Sequence, residues 1–127
     1  MENFKVIIAG SRGFSNYKLL WEKCNEYLRE KRKNYNIIII SGGARGADTL
    51  GEKYAQDEGF SLEVFPANWN KFGKSAGFRR NEQMAEVADA LIAFWDGKSH
   101  GTKHMIEIME NKNLLVKIVN YETSDKA

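Results

Sequence analysis

Four consecutive isoleucines, Ile37 to Ile40, run without a break into Ser41-Gly42-Gly43-Ala44-Arg45-Gly46-Ala47-Asp48. An extended segment that is apolar at every residue is apolar on both faces, as a strand buried inside a parallel sheet has to be. The glycines that end it mark a tight turn. Behind them the sequence reads as a helix through about Gln56 or Asp57, stopped at Gly59. A buried strand, a glycine turn and a helix form one half of a parallel crossover, so the rest of the chain must supply neighbouring strands for the same sheet.

Four further segments answer that requirement. Phe4 to Ala9 runs into Gly10-Ser11-Arg12-Gly13, Leu62 to Phe65 is closed by Pro66, Ala90 to Phe94 runs into Asp96-Gly97-Lys98-Ser99-His100-Gly101-Thr102, and Leu114 to Val119 makes a fifth strand. Between them, Leu20, Cys24, Tyr27 and Leu28 recur at helical spacing, and the basic residues from Arg29 to Lys33 suit the negative end of that helix. Met84, Val87 and Ala88 mark another helix, and Ile106 to Met109 a third. From Ala67 to Gly77 no periodicity survives, which predicts a loop of about a dozen residues, a length that is uncommon in a compact domain unless it serves a function. The expected architecture is α/β: a Rossmann-like three-layer sandwich with an approximately five-stranded parallel sheet and helices on both faces. One domain spans 1–120, and 121–127 form a polar C-terminal tail.

Composition removes several alternatives. With 127 residues, 43% of them hydrophobic and 28% charged, the chain can bury a core without staples. Its formal charge of +2 lacks the basic excess typical of a duplex-DNA binder, and a single cysteine, Cys24, excludes an internal disulfide. No aliphatic run approaches the roughly 20 residues of a membrane span, so a cytoplasmic location is expected. His100, His104 and Cys24 do not have the spacing of a zinc site, and neither a metal nor a cofactor is predicted.

The glycines carry the functional signal. Of 11 glycines, seven fall in the three strand-to-helix turns, beside a single proline in the whole chain. In an open parallel sheet such turns lie along the carboxyl edge, where ligands bind. A helix N-terminus presents unpaired N–H groups and a positive dipole end, and glycines let a phosphate approach them. Gly42, Gly43 and Gly46 offer that opening, with Ser41, Arg45 and Asp48 beside them. The spacing is neither that of a Walker A loop nor that of the common dinucleotide fingerprint, and a tight turn with no ligand is the alternative. Gly10, Ser11 and Arg12 form a weaker copy, while Asp96, Gly97, Ser99, Gly101 and Thr102 can close the site from the other side. Between Pro66 and Arg80 the chain carries Lys71, Lys74, Arg79 and Arg80, interleaved with Trp69, Phe72 and Phe78, and no acid. This stretch reads as a cationic flap able to hold phosphates and stack on a base.

Three segments together, VIIAGSRGF, IISGGARGADTLGEKYA and RRNEQMAEVADALIAFWDGKSHGT, resemble the SLOG superfamily, the Rossmann-like group that includes DprA and the LOG nucleotide hydrolases. The small single-domain bacterial and phage members, the YspA/cpYpsA-related branch, look most similar, over about Phe4 to Val119. The resemblance implies a nucleotide or nucleotide-derived ligand on the carboxyl edge, with the phosphate-binding glycines at Gly42, Gly43 and Gly46 and a second motif at Gly97, Gly101 and Thr102. In the LOG hydrolases a basic residue and a glutamate act on the N-glycosidic bond of a nucleoside monophosphate. Arg79 or Arg80 matches the first, but Met105 stands where the glutamate belongs. Glu107 is two residues further on and points roughly 200° away on a helix. The leading expectation is therefore a nucleotide-binding sensor or regulatory module. A phosphoribohydrolase-like enzyme using Arg79 or Arg80 comes second, and a DprA-like single-stranded nucleic-acid module third. A homo-oligomer is compatible with the resemblance, and no membrane partner is expected.

Overall fold

A computed structural model describes residues 1–121. Five strands, β1 (Asn3–Gly10), β2 (Asn36–Ser41), β3 (Ser61–Val64), β4 (Ala90–Trp95) and β5 (Leu115–Asn120), form one all-parallel sheet in the order β3-β2-β1-β4-β5. Helices α1 (Tyr17–Leu28), α3 (Ala47–Glu58), α5 (Ala76–Val87) and α6 (His100–Asn111) make the crossovers, and two single turns, α2 (Lys31–Asn34) and α4 (Trp69–Phe72), sit in the connections.

Strand alternation divides the core in two. Val6 and Ile8, Ile37 and Ile39, and Ile92 and Phe94 face α1 and α3, where Leu20, Cys24 and Tyr54 meet them. Ile7, Ile40, Leu91 and Ala93 point the other way onto Met84 of α5 and Met105, Ile106 and Met109 of α6. The central strands are therefore apolar at nearly every residue because they have no wet face. Each fully buried aliphatic side chain contributes about 1.5–3 kcal/mol by leaving water. Gly51 lets α3 lie close on β1, since a Cβ there would stand 2.8 Å from Ile8 Cγ2.

Two expectations change. The basic run after Leu28 does not simply end α1: the chain breaks at Arg29 and Glu30 and makes the separate turn α2, whose Arg32 pairs with Glu58 at 2.9 Å. The predicted loop from Ala67 to Gly77 is mostly helical: Asn68 caps α4 by accepting from the Lys71 N–H at 3.1 Å, a 3₁₀ turn covers Gly73–Ser75, and α5 begins at Ala76. Arg79 and Arg80 thus ride on the first turns of a helix. The polar tail lies almost wholly outside the described residues. Among those described, no helix is long and apolar enough to cross a membrane.

Candidate functional site

From β1 the chain crosses to β2 on one side, and from β4 to β5 on the other. The loops leaving β1 and β4 therefore diverge, and a crevice opens between them at the carboxyl edge. It holds a cavity of about 440 Å³, walled by Gly10, Arg12 and Gly13 of the first turn, by Ser99 to Thr102 at the start of α6, and by Arg80, Asn81 and Met84 of α5. A second cavity of about 360 Å³ adjoins it over Gly42, Gly43, Arg45, Pro66 and Ala67, and the two share Arg12, Ala44, Trp69 and Arg80.

Hydrogen bonds between the three turns set this geometry. The Ser11 hydroxyl accepts the Asp96 N–H at 3.1 Å and bonds the Ser99 hydroxyl at 2.9 Å, joining the first turn to the third. The Asp96 carboxylate accepts the Lys98 and Ser99 N–H groups at 2.8 and 2.9 Å and the Ser99 hydroxyl at 3.0 Å. Partial desolvation pushes the Asp96 pKa up, but these bonds together outweigh it and hold the group down at about 2. The Ser11 carbonyl also accepts the Ala47 N–H at 3.3 Å, which ties the first turn to the second.

The expected site residues therefore divide. Gly10, Arg12, Asp48, Ser99, Gly101 and Thr102 come together on the first cavity, and Gly42, Gly43 and Arg45 on the second. Ser11, Ser41, Gly46, Asp96 and Gly97 line neither. The Ser41 hydroxyl donates to the Glu52 carboxylate at 2.6 Å and accepts the Gly43 N–H at 3.1 Å, so it shapes the turn from within. Arg79 also stands apart. Its Nε donates to the Ser75 hydroxyl at 3.0 Å and its guanidinium covers the Phe72 ring at 4.5 Å, whereas Arg80 lines both cavities.

The two helix N-termini beside the crevice differ. At α3 the Asp48 carboxylate accepts the Ala44 N–H at 3.1 Å, so the chain supplies its own anion to the turn with the most glycines. At α6, Ser99 makes no side-chain cap, and the amides of His100, Gly101 and Thr102 stand at a cavity wall without a carbonyl four residues back. Neither helix start has a side-chain cap, but the first three residues of α6 all line the first cavity, whereas of the first three of α3 only Asp48 does.

Asp48 is 6% exposed, and among the described residues it is the only carboxylate lining either cavity. Burial lifts its pKa to about 6, against the opposing pull of the Ala44 and Gly42 amides and the Arg80 guanidinium, with Glu52 adding to the rise. Arg80 donates to the Gly42 carbonyl and to Asn81 Oδ1, and burial lowers its own pKa, with Asp48 opposing and Arg12 assisting. A carboxyl whose folded pKa exceeds its unfolded value of 3.8 takes up its proton first in the folded state. Its contribution to stability is full below about pH 4 and is lost as pH rises through about 6. We expect Asp48→Asn to melt higher than the parent at pH 7 and to remove up to about 3 kcal/mol of the stability difference between pH 4 and 7. Thermal melts across that range check this, and an unchanged slope would refute it.

Several residues on the first cavity carried no site assignment from the sequence. Asn81, buried, donates from Nδ2 to the Gly101 carbonyl at 3.2 Å and lies 3.2 Å from His104 Nδ1, so it fastens α5 to the start of α6. Its signal was a polar residue in helical register with the buried Met84, Ala85 and Ala88. His100 and Met105 line the same cavity. Met105 is buried while Glu107 is exposed, so no carboxylate stands on α6 where the LOG hydrolases carry theirs.

A five-stranded parallel sheet with its glycine turns gathered at the switch point is the Rossmann-like fold of the SLOG proteins. The chain belongs to the YspA, cpYpsA-related SLOG family, whose model matches residues 4–72. It is 33% identical over 123 residues to the gene 61 protein of Mycobacterium phage D29, covering 92% of this chain and 95% of the phage protein. DNA processing protein A (DprA) from Streptococcus pneumoniae matches it with a TM-score of 0.71 at 18% identity, over 98% of this chain but 52% of DprA. Protein TM1055 matches with a TM-score of 0.62 at 18% identity, over 91% of this chain and 72% of its own. The chain thus spans about half of the DprA structure, and at these identities the two structures speak for the fold.

Proposed function

We propose that this chain binds a nucleotide or nucleotide-derived phosphate ligand at the carboxyl edge of its sheet, as a sensor or regulatory module. The observation that carries the reading is the uncapped N-terminus of α6 on a cavity that also holds Arg12 and Arg80. Free amides at a positive helix end donate to phosphate oxygens, and a guanidinium can clamp a second pair of them. At the mouth, Trp69 and Phe78 are 51% and 47% exposed. Such large rings beside a polar cavity offer a base a stacking face. On this reading the phosphate sits behind the third turn, whose helix lines the cavity with its first three residues, and the second turn has a supporting role.

A hydrolase reading has one observation in its favour, a buried Asp48 and Arg80 on the same cavity wall. Met105 counts against it, because the α6 position that the family's hydrolases use for a carboxylate is apolar here. Release of a free base from AMP or GMP on chromatography, lost in Arg80→Ala, would favour the enzyme.

The binding reading is tested by calorimetric and NMR titration with AMP, GMP, ADP-ribose and NAD. Amide shifts at Gly13, Gly101 and Thr102 are expected, and silence from all four ligands would overturn it. Gly101→Asp separates binding from folding. A Cβ at Gly101 meets nothing within 4 Å, and an acid in a helix's first turn stabilises it by about 0.3–1 kcal/mol. The same charge repels a phosphate, so this variant should melt no lower than the parent while binding roughly tenfold more weakly.

A further inference from the structure

The two cavities are not independent. They meet at a shared wall made by Arg12, Arg80, Trp69 and Ala44, and each falls in the size range of roughly 300–1,000 Å³ typical of a small-molecule site. Both arginines line the junction, while Lys74 adds a cation to the first compartment and Arg45 one to the second. Burial lowers the Arg80 pKa, the Asp48 charge opposes that, and Arg12 stands near enough to add to the lowering. Asp48, the one carboxylate lining either cavity among the described residues, accepts the Ala44 N–H and offsets part of the Arg80 charge, which leaves Arg12 as the cation at the junction with no carboxylate partner among them.

A ligand with a single phosphate and a single nucleoside fills the first compartment and leaves the second, with its glycine wall of Gly42 and Gly43, to water. A ligand with two halves joined through phosphate matches the whole surface: anionic linkage against the two arginines, one half in each compartment, and the Trp69 ring at the boundary. Resting on the nucleotide-binding reading above, we propose that the ligand is a two-lobed nucleotide, two ribose-bearing halves joined through phosphate, with that linkage held by Arg12 and Arg80 between the two cavities.

Two chemistries share this form, a pyrophosphate bridge and a phosphodiester. The experiment therefore titrates the full chain with AMP, with ADP-ribose and NAD as the pyrophosphate-linked probes, and with the dinucleotide pApA as the phosphodiester-linked probe. The second half binds as an intramolecular event, so the matching two-lobed probe should bind at least about tenfold more tightly than AMP. In NMR spectra AMP should shift Gly101 and Thr102, and the two-lobed probe should shift Gly43 and Ala67 as well. Ala67→Trp, which fills the second compartment, should bring the preference over AMP to within about threefold. The NMR comparison needs no variant, so a poorly folded Ala67→Trp does not spare the proposal. Equal affinities, or Gly43 and Ala67 unmoved by every two-lobed probe, overturn this inference and leave the binding reading standing. Failure of AMP, GMP and all three two-lobed probes to bind overturns both.

Discussion

Gly46→Ala is expected to lower stability by about 3–5 kcal/mol and the melting temperature by roughly 10–20 °C. Gly46 has φ +80°, and a Cβ there would lie 2.5 Å from the backbone oxygens of both Ser11 and Arg12. Neither oxygen can retreat without loosening the first turn, whose Ser11 carbonyl accepts the Ala47 N–H and whose side chain reaches the third turn. Gly59 is the control. It has φ +74° at the end of α3, but a Cβ there meets nothing within 4 Å, so Gly59→Ala should cost only about 1–2 kcal/mol from the backbone term. Melting curves of the two variants, measured side by side, isolate the packing of one turn against another. Equal losses would show that backbone conformation alone accounts for both.

Arg80→Ala is expected to weaken ligand binding about a hundredfold, and Arg79→Ala by no more than about twofold. The two arginines are adjacent in sequence, but a helix turns adjacent residues apart by roughly 100°, which puts one in both cavities and the other over Phe72 in solvent. Removing Arg80 also takes a donor from the Gly42 carbonyl and a positive neighbour from Asp48. The Arg80→Ala chain should therefore melt a few degrees lower as well, while remaining folded at room temperature. Calorimetric titration of both variants with the tightest ligand checks this. A similar loss in both would mean that diffuse positive charge, not placement, drives binding.

How far the sequence could be read follows from which signals were local. The strands were plain because Ile37 to Ile40 and Val6 to Ile8 are apolar without interruption, and the edges of the turns were plain because glycines sit there. The helix from Ala76 was hidden. Gly77 breaks its propensity, Phe78 is an exposed aromatic, and Asn81 is a buried polar residue, so its apolar stripe becomes regular only from Met84 onward. The site was legible as an address but not as a division of labour. Ser11 and Ser41 carry the hydroxyls a phosphate site uses, and the fold commits them, with Asp96, to partners in the turns and on α3. That choice depends on pairs such as Ser11 with Asp96, 85 residues apart, which no local pattern encodes. Asp48, read as part of a phosphate turn, instead meets the Ala44 amide through its carboxylate.

The bonds that join Ser11 to Asp96 and Ser99, and Ala47 to Ser11, hold the three glycine turns of the crevice together without any ligand. On the binding reading, encounter then needs no rearrangement of these turns. Association should run at a pace set by diffusion and by the attraction of the arginines, falling as salt is added, and ligands of different affinity should differ chiefly in how long they stay.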